Sequence, residues 1–175
     1  VNGPCTVGDN TGSVMEAGEP SPSCFSGDNY SVWYKFIAQS NSVSISTDFT
    51  GYTSGDTEVG LYSVGSCFNY STYTLLACDQ DGGASENYNS VISDIPTNIG
   101  SIYYIQVSGW NGTQGTFCLQ ATSTPDNDNI CGAENIGCGE VKTGNTALFS
   151  YSDSNMPLEG CGTVLSSTNA FYVYN

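Results

Sequence analysis

Residues 23–36 read SCFSGDNYSVWYKF: a cysteine, a polar turn, then a run in which Val32, Tyr34 and Phe36 alternate with Ser31, Trp33 and Lys35. Period-two alternation of β-branched and aromatic residues marks a strand with one buried face. The same rhythm recurs at Val43 and Ile45, Val59 and Leu61, Leu75 and Ala77, Tyr103 to Val107, and Phe117 to Ala121. Between these runs lie Gly-, Asn- and Asp-rich turns: SGD (54–56), QDGG (80–83), NIGS (98–101) and WNGTQG (110–115). No run of ten residues carries a helical period. Many short strands at this spacing predict an all-β fold, an antiparallel jelly-roll β-sandwich with one buried face per strand.

The opening pattern returns near the other end as GCGTVLSSTNAFYVYN (160–175). Val32-Trp33-Tyr34-Lys35-Phe36 aligns with Ala170-Phe171-Tyr172-Val173-Tyr174, an offset of roughly 138 residues, and self-similarity at a fixed period marks an array. GDNTGSV (8–14) answers GNTALF (144–149), Cys24 answers Cys161, and Cys5 answers Cys138. The segment NDNICGAENIG (127–137) opens the second copy and has no counterpart in the first. The expected organisation is a β-sandwich repeat over 1–122 lacking its first strand, a linker over 123–127, and the beginning of the next repeat over 128–175. Val1 is not a natural start and AFYVYN stops inside a strand. The chain therefore reads as a window on a longer tandem array, or as one of a set of identical chains that complete each other by strand exchange.

Composition bounds the function. Seventeen acidic residues stand against two lysines, Lys35 and Lys142, giving a formal net charge of -15. Phosphate-binding partners need Lys and Arg, so nucleic acid and anionic membranes are excluded as expected partners. No stretch approaches the length of apolar chain needed for a membrane helix. With no His there is no Ser-His-Asp or Cys-His machinery, and no carboxylate pair stands out, so the expectation is a non-enzyme.

Eight cysteines at wide spacings, with no C-x₂-C pair, predict a disulfide-stapled protein of an oxidising compartment. The repeat suggests Cys5–Cys24 and Cys138–Cys161 as one bridge in successive copies. Cys67 and Cys78 would then staple a hairpin. Cys118 and Cys131 remain; they bridge across the linker, or Cys118 ties a first strand to a last through an upstream equivalent of Cys131.

Taken together, PSCFSGDNYSVWYKF, GDTEVGLYSVGSC, LLACDQDGG, YYIQVSGWNGTQGTFCLQAT and NDNICGAENIG resemble the pre-peptidase C-terminal-like jelly-roll domains of secreted proteins of Bacteroidota. The resemblance implies a non-catalytic sandwich, used in tandem in large extracellular adhesins on the bacterial cell surface and as an accessory module of secreted proteases. Three functions are expected from it: a structural repeat of a fibre, stalk or adhesin whose partners are neighbouring repeats or identical chains; a Ca²⁺-dependent glycan- or protein-binding module; or a protease accessory domain.

Candidate site residues follow from residue type. Asp56, Asp79 and Asp81, with Glu58 nearby, offer hard oxygen ligands suited to Ca²⁺. The D-x-D-G start of an EF-hand loop at Asp79 is not completed, since position 12 is Ser90 rather than Glu. Trp110, Tyr70 and Tyr73 in expected loops are candidate platforms for sugar faces. Asn29, Asn69 and Asn111 head glycosylation sequons, which a chain rich in Asn and Ser acquires by chance.

Overall fold

The computed structural model describes residues 3–27, 30–85, 88–123, 134–141 and 172–174. The chain divides into two compact units, Val1–Ser123 and Thr124–Asn175. The first is built from β1 (Thr6–Asp9), β2 (Val32–Ile37), β3 (Ser42–Ser46), β4 (Thr57–Val64), β5 (Tyr73–Asp79), β6 (Val91–Pro96), β7 (Ile102–Gly109) and β8 (Thr116–Thr122). They form two antiparallel four-stranded sheets, ordered β1-β8-β3-β6 and β2-β7-β4-β5. That order is a jelly roll, in which strands consecutive in sequence pass from one sheet to the other, except for the β4–β5 hairpin. In the second unit the described strands are β9 (Glu134–Ile136) and β10 (Tyr172–Tyr174), paired in parallel. Among the described residues, no helix is long and apolar enough to cross a membrane.

The alternating residues make the core. Val43, Ile45, Val59, Leu61, Tyr103, Ile105, Val107, Phe117 and Leu119 are buried in one cluster, with Val32, Tyr34 and Phe36 packed on its margin. The Tyr34 and Phe117 rings meet edge-on at 6.1 Å across the two sheets. Gly8 permits this contact, because a Cβ there would overlap the Tyr34 hydroxyl and the Phe117 ring. A β-bulge between Leu61 and Tyr62 shifts the register against β5, so Leu75 is left 40% exposed where its alternation with Ala77 suggests burial.

Two expectations are overturned here. The first is one buried face per strand. β4 is buried on both faces, because the segment from Met15 to Ser26 lies across the outside of the β2-β7-β4-β5 sheet. The second is the cysteine pairing. Cys5 bonds Cys118, with Cα atoms 5.5 Å apart, and Cys24 bonds Cys78 at 6.3 Å. The expected Cys5–Cys24 bridge fails because Cys5 precedes β1, which lies directly against β8, whereas Cys24 lies in the segment covering the other sheet, against β5. Cys67 is exposed and unbridged, and so is Cys138, whose expected partner Cys161 lies, with Cys131, outside the described residues.

Candidate functional site

Three groups of side chains stand out from the packing. The first is a polar layer sandwiched between the outer sheet face and its covering segment. Glu19, only 5% exposed, accepts hydrogen bonds from Ser31 Oγ, from Trp33 Nε1 at 2.8 Å and from Gln106 Nε2 at 3.0 Å on one carboxylate oxygen. Its other oxygen accepts from the Glu16 amide at 2.8 Å. Gln106 in turn accepts from the Tyr62 hydroxyl at 2.8 Å. Burial, reinforced by the Glu19 charge, holds the Tyr62 phenol well above its ordinary range.

The second group is the acidic end of β4 and β5. Asp79 does not reach outward. Its Oδ2 accepts from the amides of Gly82 and Val91, both at 2.8 Å, and closes the connection from β5 to β6. A Cβ on Gly82 would come within 2.6 Å of that oxygen, so the turn requires glycine. Asp81 is exposed, and Asp56 carries a carboxyl pushed up by burial and then by the Asp81 charge. Glu58 is fully buried; one oxygen accepts from the Ser26 amide and the other has no hydrogen-bond partner among the described residues. Opposite it on β7, the buried Ser108 hydroxyl is also unpartnered among the described residues. Burial drives the Glu58 carboxyl above its ordinary value, partly offset by the Ser26 bonds, with Asp56 and Asp81 adding to the rise. Among the described residues no three carboxylates or thiols converge as a metal-binding group. The expected set of Asp56, Asp79 and Asp81 is therefore not assembled around one point, and Asp79 serves the turn.

This arrangement has a pH signature. The protonated form of Glu58 is favoured in the fold, so its contribution to stability is complete below the ordinary value of about 4.5 and is lost as pH rises through the raised value. Glu58→Gln is expected to raise the melting temperature at neutral pH and to flatten its fall as pH rises above about 4.5. Melts of both proteins across that range check this; a variant less stable at neutral pH would contradict it.

The third group is aromatic. Tyr73 stands edge-on to Tyr70 at 5.2 Å and to Trp33 at 5.7 Å, with Tyr62 and Tyr104 completing the wall. Tyr70 donates to the Glu16 carboxylate, which raises its phenol, and Tyr73 donates to the Cys67 carbonyl at 3.3 Å. Tyr70 lies in the β4–β5 connection, where it starts a single 3₁₀ turn, while Tyr73 begins β5. Trp110 is separate. It is 42% exposed, and the register puts it beyond Gly109, which pairs with Thr57 at the far end of β4 from the Val64–Tyr73 pair. The structure thus does not bring Trp110 together with Tyr70 and Tyr73.

Sequence reasoning missed Glu19 and Ser90. Ser90 Oγ donates to the Thr57 carbonyl at 2.5 Å and the Asp79 carbonyl at 3.0 Å, and its amide meets the hydroxyls of Thr47 and Thr57. The failed ligand position of a cation loop is a buried hub joining three strand ends. No protein-family model, curated protein or solved structure matches the chain.

Proposed function

We propose that the chain is a load-bearing, non-catalytic repeat of a secreted bacterial fibre, stalk or adhesin, acting by reach and spacing between neighbouring repeats or identical chains. The observation that carries this reading is the placement of the Cys5–Cys118 bond, which ties the start of the first strand to the last strand. Tension applied between the two ends of the sandwich runs from Cys5 across the disulfide to Cys118. The sequence between them, a separation of 113, lies off the force path. Disulfides also suit an oxidising, extracellular setting. The committed roles of Glu19, Glu58, Asp79 and Ser90 in packing support a structural use of the polar residues rather than a chemical one. Stretching single chains by their ends, oxidised and reduced, tests the proposal: the oxidised first unit is expected not to lengthen, and lengthening in both states would overturn it.

One observation favours a second reading, the Ca²⁺-dependent binding module. The exposed Trp110 is tied to the acidic end through its amide, which donates to the Asp56 carbonyl at 3.0 Å. In that reading Ca²⁺ offsets the repulsion between Asp56 and Asp81 and fixes the loop that presents the indole. A melting temperature raised by Ca²⁺, with glycan-array binding lost in Trp110→Ala, is the expected result. Insensitivity to both removes the reading.

A further inference from the structure

From the open edge of β2 we infer that it accepts a parallel strand, and that the strand is Glu134–Ile136 of a second copy of this chain. Among the described residues β2 pairs with β7 on one side and with no strand on the other, and β1 is likewise an edge of its sheet. Between them lies a groove of about 290 Å³ whose walls include Tyr34, Phe36, Leu119 and Ala121, with Gly3 and Pro4 at its rim. Tyr34, Phe36 and Ala121 are core-facing residues left only partly buried. An apolar edge of this kind is a template for strand addition.

The second unit identifies the occupant. β9 lies parallel on β10 with Glu134, Asn135 and Ile136 opposite Tyr172, Val173 and Tyr174. By the internal repeat, Tyr172–Tyr174 corresponds to Tyr34–Phe36, the stretch of β2 that lines the groove. Transferring the register puts Asn135 beside Lys35 on the outer face. Ile136 then falls beside Phe36 on the groove face, and Glu134 beside Tyr34. Ile136 is only half-buried where it stands, so moving β9 from β10 to the β2 of another copy exchanges one parallel pairing for an equivalent one and deepens the burial of an isoleucine. The high negative charge opposes such association, so it should strengthen as salt screens the chains. The inference goes beyond the load-bearing reading and does not depend on it, since the staple can carry force whether or not the edge is occupied.

The test uses the full chain with a photo-activated benzophenone side chain in place of Lys35, mixed with ¹⁵N-labelled unmodified chain. Irradiation is expected to join position 35 of the light copy to the ¹⁵N peptide containing 134–136, with yield rising with salt. Asn135→Pro in the labelled copy should cut that yield about tenfold or more by removing a strand donor, leaving the first unit intact. Ile136→Glu should cut it by placing a charge in the groove. Cross-links confined to a single isotope, mapping elsewhere, or indifferent to both donor variants would overturn the inference. Staple function would be untouched by that outcome, because it is read separately by extension under force.

Discussion

Cys5→Ser/Cys118→Ala is expected to lose about 4–5 kcal/mol of unfolding free energy. The bond closes a loop of sequence separation 113, and its removal releases that constraint from the unfolded chain. Cys118 is fully buried, so alanine is used there to avoid stranding a hydroxyl. Denaturant unfolding should show a lower midpoint and a steeper dependence on denaturant, since the uncrosslinked chain exposes more surface. Cys24→Ser/Cys78→Ala, with a separation of 54, should cost about 0.6 kcal/mol less. Equal stability of the Cys5/Cys118 variant and the parent would contradict the assignment.

Glu19→Ala is expected to cost about 3–5 kcal/mol, because it removes the shared acceptor of a buried layer. Ser31 Oγ and Trp33 Nε1 lose their partner beneath the covering segment, and Gln106 Nε2 keeps only the Pro20 carbonyl. Glu19→Gln retains an oxygen for these donors but turns an amide toward the Glu16 N–H, so it should cost less. A spectroscopic readout separates the charge from the packing. Burial is the main reason the Tyr62 phenol titrates high and the Glu19 charge is the second, so both variants should lower it. A stability change below about 1 kcal/mol in Glu19→Ala would show that the covering segment holds by other means.

The sandwich was legible because its strands bury alternate residues, and alternation is a local signal. It failed where backbone irregularity breaks the period. β6 carries Asp94 at a positive φ of 52°, and its short VISDIP run does not alternate cleanly. The cysteine pairing was not legible, for a topological reason. The repeat favours Cys5 with Cys24, but the jelly roll brings β8 back beside β1 and leaves Cys24 in the segment that covers the other sheet, beside β5. The buried acids were missed for a chemical reason. In a chain this acidic, Glu19 reads as solvated surface and Glu58 as an accessible oxygen ligand beside Asp56, on the outward position of its strand. Only the covering segment, which has no periodic signal of its own, turns that surface into an interior.

Single-chain extension under force tests the central claim most directly. The oxidised first unit should add no contour length at forces that unfold unstapled β-sandwiches. Full reduction should release about 400 Å, from 113 residues at about 3.6 Å each. In Cys5→Ser/Cys118→Ala, with Cys24–Cys78 still closed across 54 residues, the release should fall to about 200 Å. A release of about 400 Å from the oxidised parent would contradict the account, because the force would then be passing through the sandwich rather than around it.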